Sequence, residues 1–151
     1  MRYNIFMSIH TLGIIYAVGA AVAWGLAYTI DQKILLNTSP LPLLFVSLVV
    51  GAILILPVLL LQGSVVMDIF TLGKTQLLLV VISVALATFA NYLIFASIEH
   101  VGASLAAAFE ISYPFFVFFF SYLIYGAQLN IYVFLGSFLI FAGSAIIMRF
   151  G

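Results

Sequence analysis

Glu110 is the residue best placed by type and position to do chemistry. It sits inside an apolar run, with Ala106, Ala107, Ala108 and Phe109 before it and Ile111 and Tyr113 after it. At about 1.5 Å per residue it lies roughly 12 Å along a helix that starts at Gly102. That is close to the middle of a hydrocarbon core about 30 Å thick. An ionised carboxylate at that depth costs at least a few kcal/mol, so it must face protein or a wet cavity. A carboxyl that is neutral when sealed and charged when wet can carry a proton or hold a cation. It can equally stay protonated and bond a neighbouring helix as structural glue. The residues alone leave both readings open.

Two other positions belong to the same slab of membrane. Asn91 precedes the turn at Glu99–Val101 by about nine residues and Glu110 follows it by about ten, so a hairpin places them at one depth. Trp24 stands about seven residues from the end of the first apolar segment, at a similar level. Asn91 reads as a ligand contact or as a simple interhelical hydrogen-bonder. Tyr113 lies three residues from Glu110, and Tyr28 four residues after Trp24, spacings that share a helix face. Pro114 removes its own amide donor and clashes with the carbonyl four residues back, which is that of Glu110. Broken helices near the midplane are where transporters build sites, although a plain packing kink fits too.

The elements that must carry these residues follow from composition. Of 151 residues 67% are hydrophobic and 5% are charged, whereas a soluble domain is roughly half apolar and about a quarter charged. Four basic and four acidic side chains cannot clothe a fold of this length in water, so lipid is the solvent for most of its surface. Five segments reach the roughly 20 apolar residues a spanning helix needs. They run over about 12–30, 41–61, 77–98, 102–125 and 131–148, after an N-terminal flank of residues 1–11. The expected fold is an all-α integral membrane bundle, one domain over 12–149. Arg2, the run Leu12–Val18 and Ala21-Val22-Ala23 also resemble a signal peptide. The apolar stretch continues to Ile30, so it is read as a retained helix.

Short links between the third, fourth and fifth segments demand antiparallel neighbours. The loop from Gln62 to Gln76 has an apolar middle (Val65, Val66, Met67, Ile69, Phe70) suited to the interface. Orientation signals balance: Arg2 and Lys74 fall on one side, Lys33 and Arg149 on the other. Such a tie means either that a partner or another signal sets the topology, or that the chain inserts both ways and pairs with an inverted copy. In the fifth helix Gly136 and Gly143 share one face and read as helix-packing or dimer contacts. Asp31, Lys33, Asp68, Lys74, Glu99 and Arg149 read as solvated anchors. With zero net charge nothing suggests nucleic acid. The absence of cysteine removes disulfides and thiolate metal sites, and no P-loop is present. No cofactor is expected.

The stretch from Tyr92 to Met148 resembles the EamA type of the drug/metabolite transporter superfamily. The resemblance is carried by Tyr92-Leu93-Ile94-Phe95-Ala96-Ser97-Ile98, Val101-Gly102-Ala103-Ser104-Leu105-Ala106-Ala107, Pro114, Gly126, Gly136 and Ala142-Gly143. Trp24-Gly25 looks like the family's first helix. Family members usually carry two five-helix units in inverted orientation. The resemblance therefore implies half of a ten-helix inverted-repeat transporter, completed by a second copy or a sister chain. One departure is Gly126-Ala127, where the family often has Gly-Glu.

The expectation is a secondary transporter subunit in the cytoplasmic membrane. It would move a small metabolite or drug-like molecule, with proton coupling through Glu110. The rival is a non-transporting accessory subunit that stabilises a larger complex. An intramembrane enzyme is the weakest reading, because no Ser/His pair, HExxH or paired intramembrane acids are present.

Overall fold

The computed structural model describes the backbone of residues 2–62, 71–126, 128 and 130–150, and side chains of those stretches apart from residues 2–10 and 62. The apolar loop positions 65, 66, 67, 69 and 70, Asp68 and Ala127 lie outside the described residues. The described residues form the helices α1 (Arg2–Leu35), α2 (Pro40–Gln62), α3 (Lys74–Val101), α4 (Ala103–Glu110), α5 (Tyr113–Tyr125) and α6 (Ile131–Phe150). Among the described residues five stretches are long and apolar enough to cross a membrane, with α4 and α5 together making the fourth. Apolar side chains cover every face of these helices and most stand exposed. That is the distribution expected where lipid is the solvent and each backbone group is satisfied within its own helix.

The chain divides into two units, residues 1–33 with 102–151, and residues 34–101. In the second unit α2 packs on α3. Pro40 opens α2, where its missing amide hydrogen costs nothing. The hydroxyls of Ser47 and Thr88 bond the carbonyls of Leu43 and Val84, one turn back, which hides them from hydrocarbon.

In the first unit α4 and α5 both pack on α6. Phe115 stacks on Phe141 with centroids 5.5 Å apart, and Phe118 meets Phe134 at 5.6 Å. Gly126 closes α5 in the left-handed conformation, φ 61°, with its amide bonding the Tyr122 carbonyl. Asn130 then caps α6, its Oδ1 accepting the Tyr132 amide at 2.9 Å. This is the usual arrangement of glycine at a helix end and asparagine at the next start.

The fourth spanning segment differs from the single helix that its apolar run predicts. It stops at Glu110, turns through Ile111 and Ser112, and restarts at Tyr113. Pro114, near the start of α5, has no amide hydrogen to give the Glu110 carbonyl and also restrains the residue before it. Ser112 fills the gap locally: its hydroxyl bonds the Phe109 carbonyl at 2.6 Å and its amide bonds the same carbonyl at 3.0 Å.

The start of α4 is fixed by Gly102 and Gln32. Gly102 has φ 84° and ψ 161°, a region essentially reserved for glycine. That turn aims the Ala103 amide at Gln32 Oε1, 2.8 Å away. Gly102→Ala should therefore lower stability by about 1–3 kcal/mol. Unfolding of the purified protein in mixed micelles of mild and denaturing detergent measures this. A midpoint equal to that of the wild type contradicts the assignment.

Candidate functional site

Tyr28 and Glu110, 82 positions apart in sequence, meet in the first unit. The Tyr28 hydroxyl donates to Glu110 Oε2 at 2.5 Å, the short length typical of a hydroxyl bonded to a carboxylate. Tyr28 is 5% exposed. Gln32, one turn further along α1 and on the same face, makes the bond to Ala103 described above. The two bonds clasp α4 at both ends, Gln32 at its first residue and Tyr28 at its last.

Beside this clasp is a cleft of about 400 Å³. From α1 it is lined by Ala17, Ala20, Ala21, Trp24, Gly25 and Tyr28, and from the other wall by Ala107, Glu110, Ile111 and Tyr113. The α1 side is a floor of small residues, which is why space remains. A Cβ built on Gly25 would meet no atom within 4 Å. Above the floor stand the rings of Trp24 and Tyr28, centroids 5.3 Å apart and tilted by 48°. The helix break puts Tyr113 on the same cleft although it no longer shares a continuous helix with Glu110.

The structure thus brings together Trp24, Tyr28, Glu110 and Tyr113, with Pro114 next to them in sequence. Asn91 belongs to the second unit, where its Nδ2 donates to the Ala87 carbonyl at 3.0 Å. Gly136 and Gly143 make no close helix approach among the described residues, since a Cβ at either would have no neighbour within 4 Å. Among the described residues no group of His, Cys, Asp and Glu could hold a metal ion. Two contributors were not singled out for the site by type. Gln32 looks like part of a polar helix end, and its one signal is the four-residue step from Tyr28. Gly25 looks like a packing residue, and its size is its contribution.

Five apolar helical segments among the described residues define a multi-pass membrane protein, and the cleft with one carboxylate, aromatic walls and a broken helix is its candidate site. A family model described as the EamA-like transporter family matches residues 11–149, so the chain belongs to that family. Its five spans fit one half of a ten-helix transporter of this kind. No curated protein and no solved structure matches the chain at the threshold applied.

The clasp makes a measurable claim. A hydrogen bond to a charged group contributes about 1.5–3 kcal/mol. In a double-mutant cycle, Tyr28→Phe and Glu110→Ala, each of which removes the bond, should show a coupling of about 1 kcal/mol or more in unfolding free energy. Additive effects would mean that the two side chains do not depend on each other.

Proposed function

We propose that the chain is a secondary transporter subunit that moves a small metabolite or drug-like molecule across the cytoplasmic membrane, with Glu110 coupling the movement to protons. The supporting observation is the carboxylate of Glu110 at the end of α4, held by Tyr28 on one oxygen and opening on a cleft, in a chain of a transporter family. Solute and proton compete for one acid, so release of one permits binding of the other. Trp24, Tyr28 and Tyr113 line the path, and the break before Pro114 lets the acid's segment move without unwinding α5. The working particle is a pair of five-helix units, either two copies or this chain with a sister chain. Rocking of one unit against the other alternates access. The balance of Arg2 and Lys74 against Lys33 and Arg149 fits inverted pairing as well as a partner that sets the topology, and the open faces of Gly136 and Gly143 suit a partner helix.

The test is reconstitution of the chain alone into liposomes with an imposed pH gradient and a panel of radiolabelled amines, amino acids and neutral metabolites. At least one solute is expected to accumulate above the level in empty liposomes. If none does, in vesicles where the protein is folded, the transport reading gives way to an accessory subunit. Single cysteines after Gly151 and near Lys74, in a chain that has none of its own, report the pairing. Labelling of each site from both faces is expected for an inverted homodimer, and labelling from one face requires a sister chain.

A further inference from the structure

We propose that the cleft of the first unit takes a monovalent organic cation: an ammonium head on Glu110, an apolar or aromatic body against Trp24 and the small-residue floor of α1, and no anionic group. This rests on the transport reading above and adds the substrate class to it.

Charge decides between classes. Of the described residues lining the cleft, Glu110 alone carries a formal charge. Its Oε2 accepts the Tyr28 hydroxyl, and no described residue donates to Oε1. An ionised carboxylate away from bulk water requires a compensating charge or further donors. A neutral solute supplies no such charge. An ammonium group supplies it and completes the coordination of the free oxygen.

An anion or zwitterion needs several donors or a cation for its own negative group, and most backbone donors nearby are already engaged. The Ala103 amide at the start of α4 bonds Gln32. At the start of α5 the Ser112 and Phe115 amides bond the carbonyls of Phe109 and Ser112, and Pro114 has no amide hydrogen. The remaining donors on the lining are the Trp24 indole, the Tyr113 hydroxyl and the Tyr113 amide, all neutral. They do not offset repulsion by Glu110 a few ångströms away.

Shape and surface agree. The volume is at the small end for ligand pockets, which suits an amine carrying one ring. Trp24 is 51% exposed and stands beside the acid's partner Tyr28, so a cation on Glu110 comes within reach of aromatic faces. Tryptophan provides the strongest such face.

The chain contains one tryptophan, and it lines the cleft, so its fluorescence reports occupancy directly. The protein in lipid nanodiscs is titrated with three benzyl probes: benzyltrimethylammonium, its neutral carbon isostere neopentylbenzene, and the anion phenylacetate. The cation should give a saturable change in Trp24 emission, with the other two binding at least about tenfold more weakly. Glu110→Gln should weaken the cation at least about tenfold and leave the neutral isostere unmoved. Equal or tighter binding of the neutral or anionic probe, no saturable binding to the folded wild type, or a cation affinity indifferent to Glu110→Gln overturns the proposal. Should Glu110→Gln fail to fold, the wild-type ranking of the probes decides, and Glu110→Asp should preserve it. The two readings fail separately. Selective cation binding without flux in liposomes removes the transport reading alone, whereas flux of anions or neutral solutes without cation preference removes the substrate class alone.

Discussion

Glu110→Gln is expected to abolish pH-gradient-driven solute accumulation, lowering the initial rate at least about a hundredfold, while the protein remains folded and inserted. The substitution is nearly isosteric. The amide keeps a carbonyl oxygen for the Tyr28 hydroxyl, so the contact between α1 and α4 persists. What disappears is the ability to gain and lose a proton and to hold a full negative charge. Losing the hydrogen bonds of a charged group costs about 1.5–3 kcal/mol, and a hundredfold in rate corresponds to about 2.7 kcal/mol. Uptake of a radiolabelled solute into liposomes, normalised to inserted protein, measures the effect. A glutamine variant that accumulates solute at the wild-type rate assigns Glu110 to structure.

Gly25→Leu is expected to block transport by filling the cleft. A Cβ at position 25 has no neighbour within 4 Å, and Gly25 lines the cavity. A larger side chain therefore starts in open space and extends into the volume that solute would occupy. Replacing glycine within a helix also raises stability by up to about 1 kcal/mol. Uptake should fall at least about tenfold, the loss that corresponds to about 1.4 kcal/mol, with the unfolding midpoint unchanged or higher. Gly25→Ala, which adds one methyl group, should retain most of the uptake. This separation of activity from stability distinguishes a blocked path from a damaged fold. Normal uptake by Gly25→Leu would place the path elsewhere.

Much of the architecture is legible in the sequence because a spanning helix is defined locally. Length and apolarity locate α1, α2, α3 and α6 without knowledge of their neighbours. The fourth span is harder to read. Pro114 is conspicuous, but whether proline bends a helix or breaks it depends on what satisfies the freed backbone groups. Here Ser112 bonds Phe109 and a turn replaces the kink. Depth is also readable, since it accumulates at a fixed rise per residue, and it puts Trp24 and Glu110 on one level. Direction around the helix axis is not readable where every face is apolar. Tyr28 and Glu110 are each visible as polar groups within apolar segments, yet their pairing depends on how α1 is rotated against α4. Gln32 illustrates the same limit, because its role as a cap for Ala103 exists only once the chain reverses at Gly102. Gly25 matters through the space it leaves, which no property of glycine in isolation reveals.

The most direct test of Glu110 as the group shared by solute and proton is site-resolved chemical modification. An apolar carbodiimide enters greasy clefts and reacts with protonated carboxyls, and mass spectrometry assigns each adduct among Asp31, Asp68, Glu99 and Glu110. Modification of Glu110 is predicted to stop uptake in proportion to the fraction modified, and a transported solute is predicted to slow that modification. Uptake that survives full modification of Glu110, or modification that proceeds equally fast with saturating solute, would contradict the account.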